Sequence, residues 1–95
     1  MTCCYHETRA EAARVQDCRE DIMADYAAAW ETISPNDADA VAHWRIGVAA
    51  WLSQMPDTFS FRAMLWLADR VAKSSWTGFT EQQAYLWMRQ AVFFR

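Results

Sequence analysis

Cys3, Cys4, His6 and Cys18 come nearest to a metal-binding set in this 95-residue chain. Soft thiolates with an imidazole can hold zinc in a tetrahedron. Their spacing, however, lacks the paired CxxC pattern of standard zinc sites. Geometry also objects, because Cys18 lies roughly 15 Å up a helix that begins near Thr8. The tail from Cys4 to Thr8 spans at most roughly 13–14 Å, so it would have to fold back almost fully extended. Cys18 falls on an apolar stripe and reads as a small core residue. The expectation is no metal and no cofactor, with a small metalloprotein using Cys3, Cys4 and His6 as an alternative.

Nucleophilic catalysis has less support. The only imidazoles are His6 and His43, and neither stands beside a nucleophile or in a glycine-rich elbow. Asp17 and Asp21 beside Cys18 would raise its thiol pKa and so leave it inert. No serine sits in a GxSxG-type turn. Asp17, Glu20, Asp21 and Asp25 share one helix face but lack the convergent geometry that Mg²⁺ or Ca²⁺ requires. These residues read as a solvated face, or as a surface for a basic partner. No catalytic role is expected.

The third region holds Arg62, Trp66, Asp69 and Lys73 at spacings of 4, 3 and 4, with Arg70 adjoining. Tryptophan among arginines is a pairing enriched at binding hot spots. The competing reading is that a neighbouring helix or the Trp76 loop covers Trp66, or that Arg62 stacks on it. Leu86 and Phe93 fall opposite Met88 and Val92 on a fourth helix, with Arg89 nearby and Phe94 following. Fourteen aromatic residues exceed what so small a core readily encloses. Apolar surface of that kind marks a partner or self-association, and a homodimer is one version of it. The partner-binding candidates are Arg62, Trp66, Arg70, Lys73, Leu86, Arg89 and Phe93.

Arginine with aromatic residues also suits single-stranded nucleic acid. The link between the third and fourth helices is too long for a helix-turn-helix. The would-be recognition helix opens on Glu81-Gln82-Gln83, and a pI near 5.2 lacks a basic footprint. Nucleic-acid binding through the basic-aromatic face is therefore the secondary alternative.

These side chains must be positioned by helices. Apolar residues make up 54% of the chain against 22% charged, which permits a folded domain. Two glycines and two prolines leave little material for sandwich or barrel turns. Thr8 with Glu11 reads as a capping box, followed by Val15, Cys18, Ile22, Tyr26, Ala29 and Ile33 at helical spacing. Ser34-Pro35-Asn36-Asp37 restarts the chain, with Ser34 as N-cap and Val41, Trp44, Val48, Trp51, Leu52 and Met55 inward. Asp57 or Thr58 caps a third helix whose inward row is Phe61, Met64, Leu65, Ala68, Val71 and Ala72. Thr80 with Gln83 forms another capping box, Phe79 is placed to pack on Ala84 or Tyr85, and Ala84, Tyr85, Met88, Ala91 and Val92 face inward. The predicted fold is one all-α domain over 1–95. It is a compact four-helix bundle with short loops and helices at roughly 9–33, 35–55, 59–74 and 81–94, behind a flexible tail at 1–7.

No apolar run approaches the roughly 18–20 residues of a membrane span, and charges stand where a signal peptide needs an apolar stretch. A cytoplasmic protein with reduced thiols and no membrane association is expected. Charge is distributed unevenly. Residues 1–40 hold nine acids against three arginines, and residues 41–95 hold six basic groups against three acids. The abundance of arginine and alanine, with a single lysine, is also what a GC-rich genome produces. In size, acidity and lack of motifs the chain resembles small accessory proteins of phages and mobile elements, including anti-CRISPR proteins. That resemblance is one of character and covers no particular residues. The functional expectation is a non-catalytic inhibitor or adaptor that occludes a protein partner or associates with itself.

Overall fold

Apolar residues three and four apart close into four helices, and the first three end where a local hydrogen bond or a proline stops them. A computed structural model describes residues 9–93, with side chains described from Cys18 to Phe93. The helices are α1 (Arg9–Glu31), α2 (Ala38–Leu52), α3 (Asp57–Lys73) and α4 (Glu81–Phe93), with no strand among the described residues. This is the expected all-α four-helix architecture. The residues at 1–7, the Thr8 cap, Cys3, Cys4 and His6 lie outside the described residues.

Several boundaries differ from those the sequence predicts. In α1 the Thr32 and Ile33 amides donate to Ala29 and Trp30 carbonyls, each at 3.1 Å, so a tightened turn ends the helix before residue 33. Helix α2 starts three residues later than predicted. The Asp37 amide donates to the Ser34 carbonyl at 3.0 Å, which makes Ser34-Pro35-Asn36-Asp37 a turn with proline at its favoured second position. The N-cap is Asp37, whose Oδ1 accepts from the Ala40 amide at 3.0 Å. Asp and Ser cap equally well, and proline suits either role, so the sequence left the choice open. Helix α3 begins at Asp57, with Pro56 and not Asp57 or Thr58 at the N-cap. In α4 the capping box is as predicted. The Thr80 amide donates to Gln83 Oε1 at 2.9 Å and the Gln83 amide to Thr80 Oγ1 at 3.1 Å. Phe79 packs against Trp87, with ring centroids 5.6 Å apart.

The core is built on tryptophan. Trp30 is 2% exposed; its ring centroid lies 4.6 Å from that of Trp44 and 5.1 Å from that of Trp76. Both buried indoles find acceptors: Trp30 Nε1 donates to Ser74 Oγ at 2.7 Å, and Trp44 Nε1 to the Tyr26 carbonyl at 2.8 Å. Val48, Leu52, Leu67, Val71, Ala84 and Met88 complete the interior. Helix α1 packs on α2 and α3, and α4 packs on the same two helices. With Arg19 over Phe59 near one end and Trp30 bonded to Ser74 at the other, α1 runs parallel to α3. Arg45 of α2 holds α4, since its Nε and Nη2 both donate to the Trp87 carbonyl, at 3.1 and 2.6 Å.

Helix α3 is turned relative to its predicted orientation. Phe59, Ser60, Ala63, Met64, Leu67, Ala68 and Val71 are buried, and Phe61 and Leu65 face solvent. Two overlapping rows compete, and both contain Met64, Ala68 and Val71. The buried row adds Ala63, whose small side chain admits a neighbouring helix closely, and Phe59, which meets Trp51 edge to face at 5.6 Å.

Candidate functional site

The predicted α3 cluster is largely satisfied within itself. Trp66 is half-buried against the core, and the Arg70 guanidinium lies 4.6 Å from its ring centroid. Arg62 and Arg70 are each one turn from Trp66, but helical side chains lean toward the N-terminus, so Arg70 reaches back over the ring. Arg70 Nε is buried and has no hydrogen-bond partner among the described residues, consistent with a guanidinium committed to stacking. Lys73 Nζ stands 2.9 Å from Asp69 Oδ2. Hydrogen bonding to that ammonium holds the Asp69 carboxyl below its usual value against partial desolvation, and the Glu81 carboxyl is a further partner. Arg62 alone of this row is exposed and has no ion pair among the described residues.

The predicted α4 residues do reach solvent, and two unpredicted residues join them. Phe61 and Leu65 on α3 are 50% and 46% exposed; Leu86 and Phe93 on α4 are 46% and 63% exposed. Phe61 meets Tyr85 edge to face with ring centroids 6.0 Å apart. Arg89 lies over the Phe93 ring at 5.6 Å. Between the two helices runs an open groove of about 470 Å³, lined by Asp57, Ser60, Phe61, Met64, Tyr85, Arg89 and Phe93. Leu86, Arg89, Gln90 and Phe93 border a smaller recess of about 380 Å³ on α4.

A second groove of about 470 Å³ lies on the α1 side of α3, where Met23, Phe59, Leu65 and Trp66 form the walls. Glu20, Arg62, Asp69 and Glu81 stand around it. Phe61 and Leu65 thus form a ridge between two grooves. A phosphate backbone laid along α3 would meet three carboxylates beside Arg62, which disfavours nucleic acid there. At one end of the bundle Trp30, Trp76, Trp87 and Phe79 line a cleft of about 320 Å³ that has no charged lining residue.

The described residues contain no group of three or more His, Cys, Asp or Glu side chains placed to hold a metal. His43 is exposed on α2. Cys18 is half-buried and disulfide-bonded, which corrects the expectation of reduced thiols; the other cysteines of the chain are Cys3 and Cys4. No described helix is long and apolar enough to cross a membrane. No protein-family model matches the chain, and no curated protein or solved structure shows significant similarity to it.

Of the seven predicted partner-binding residues, Leu86, Arg89 and Phe93 gather on the α3/α4 face and Arg62 flanks its ridge. Trp66, Arg70 and Lys73 lie around the side of α3, engaged with one another or with Asp69. Phe61 and Leu65 were missed because their spacing fits a buried row equally well.

Proposed function

We propose that this chain is a non-catalytic protein-binding domain, an inhibitor or adaptor that covers a partner's surface with its α3/α4 face. The observation that carries this reading is the exposure of Phe61 and Phe93 on the walls of an interhelical groove, with Leu65 and Leu86 also exposed on the same two helices. Wet aromatic and aliphatic side chains gathered on two packed helices are the usual mark of an interaction surface. A bundle cross-braced by Arg45 and the tryptophan core presents them on rigid elements, so little ordering entropy opposes association. Phe61 and Phe93 are the anchors, and Arg62 and Arg89 set orientation and encounter rate. Trp66 and Arg70 brace α3 from the side. Occlusion of a partner's working site is the mode we adopt, in keeping with the small anti-defence inhibitors that the chain resembles in character.

The test is affinity capture from the native host's lysate with the wild-type chain and a Phe61→Ser/Phe93→Ser double variant. The expected result is a partner retained by the wild type and lost by a variant of unchanged helical content. A partner held equally by both would overturn the assignment of the face.

A further inference from the structure

We propose that the tryptophan cleft, at the end of the bundle where α1 and α3 finish, is a binding site for a methylated ammonium group. The site is separate from the α3/α4 face. Its walls are Trp30, Trp76, Trp87 and Phe79, with Pro35 and Val41 beside them, around about 320 Å³. That volume falls at the lower end of the roughly 300–1,000 Å³ of small-ligand sites.

Shape points to a rounded head. The Trp87 ring is set 49° from Phe79 and 62° from Trp30, with centroids 5.6 and 6.2 Å apart. Walls so inclined do not clamp a flat ring between parallel faces. Trp76 lies on Trp30 at 5.1 Å and 20°, and 37% of it is exposed. Ring faces attract cations through their quadrupole. Trp87 already does so, since the Arg45 guanidinium lies 5.0 Å from its centroid, but Arg45 does not line the cleft.

Charge points to a cation. No lining residue is charged, and acids flank the lining along the chain: Glu31 follows Trp30, Asp37 and Asp39 stand two residues from Pro35 and Val41, and Glu81 two from Phe79. Of the nearby bases, Lys73 is paired with Asp69 and Arg89 lies over Phe93. Glu31 ends α1, where the helix dipole is already negative, and no basic residue stands in that last turn. A cation in the cleft beside it supplies the missing counter-charge. Hydrogen bonding selects an alkylated nitrogen over a bare one. Thr77 is the only lining side chain able to accept, and its Oγ1 is already engaged by the Phe79 amide at 3.2 Å and the Ser74 carbonyl at 3.0 Å. A primary ammonium would enter with its N–H groups unmatched, which is costly; a fully methylated nitrogen has none.

The probes are choline, its uncharged isostere 3,3-dimethylbutan-1-ol, and ethanolamine, which keeps the charge and loses the methyl groups. Two short peptides, one with trimethyllysine and one with lysine, distinguish a protein side chain from a free small molecule as the source. Binding is read from indole and amide chemical-shift changes in the full chain. Choline is expected to bind about tenfold tighter than either analogue, with shifts centred on Trp76, Phe79 and Trp87. Trp76→Leu should abolish the preference for choline over its isostere. Glu31→Gln, at an exposed position, should weaken choline about two- to fivefold, and it carries the test if Trp76→Leu fails to fold. The tighter of choline and the trimethyllysine peptide identifies the source. Equal binding of the isostere, equal or tighter binding of ethanolamine, shifts mapping elsewhere, or no binding of either methylated probe would overturn the proposal.

Discussion

Phe61 on α3 and Tyr85 on α4 meet edge to face, ring centroids 6.0 Å apart and planes 82° from parallel, with half of Phe61 still open to water. That one contact joins the two helices and leaves an aromatic edge outside the core. It stands in the wall of the groove that Arg89 and Phe93 also line. The structure thus moves the centre of the candidate site from the Trp66 side of α3 to the seam between α3 and α4.

Trp66 tests that shift. A wet hot-spot residue could be truncated without loss of stability, but Trp66 packs against the core beneath Arg70. Trp66→Ala should therefore cost about 2–3 kcal/mol in urea unfolding, below the roughly 3–5 kcal/mol of a fully buried tryptophan because Trp66 is only partly buried. A double-mutant cycle with Arg70→Ala should give a coupling of about 0.5–1 kcal/mol. An unchanged melt for Trp66→Ala would return Trp66 to the surface.

The two glycines should respond with opposite signs. Gly47 lies inside α2, and a methyl group there would meet Tyr26 Cε1 and Oη at 3.8 Å, ordinary contact distance. Gly47→Ala should stabilise the fold by about 0.5–1 kcal/mol. Gly78 has φ +68°, a left-handed conformation that costs an L-residue about 1–2 kcal/mol. Gly78→Ala should lower the melting temperature accordingly. Thermal melts of both variants check the pair.

Two groups predict how stability changes with pH. Burial raises the Tyr26 phenol above its ordinary 10.0, and its hydroxyl donates to the Gly47 carbonyl at 3.2 Å. Its contribution is therefore complete below that value and is lost as pH climbs through the raised one. Tyr26→Phe should lose about 1 kcal/mol at neutral pH and flatten the alkaline limb of the stability profile. Asp69 has the opposite sign. The Lys73 ammonium lowers its carboxyl below 3.8, so its contribution is present above that value and vanishes as pH falls through the lowered one. Asp69→Asn should flatten the acid limb.

The disulfide at Cys18 predicts an alkylation pattern. With Cys18 bonded, its sulfur is closed to alkylation until the disulfide is reduced. Iodoacetamide applied to the unfolded, unreduced protein should leave Cys18 unlabelled, and label it after reduction, as read by peptide mass spectrometry. Labelling of Cys18 before reduction would remove the disulfide.

The helices were legible because apolar spacing and capping chemistry act locally. Thr80 and Gln83 find each other within one turn, and the sequence names both. The face of α3 was not legible, since Phe61–Leu65 and Ala63–Leu67 are both helical rows. The choice between them depends on what α4 offers across the interface. Arg70 and not Arg62 covers Trp66 because of side-chain lean, a signal present in the sequence once direction along the helix is considered. Cys18 was misread because its redox state was inferred from the lack of an apolar signal stretch, an argument about compartment that carries no information on the bond Cys18 makes.

The central claim is that the α3/α4 face receives the partner. Its most direct test is site-specific photocross-linking, with a benzophenone amino acid at position 93, at position 61, or at position 43 on α2. The labelled chains are irradiated in extract from the native host. The account predicts one cross-linked protein shared by positions 93 and 61 and absent at position 43. The same adduct at position 43, with none at 61 or 93, would contradict it.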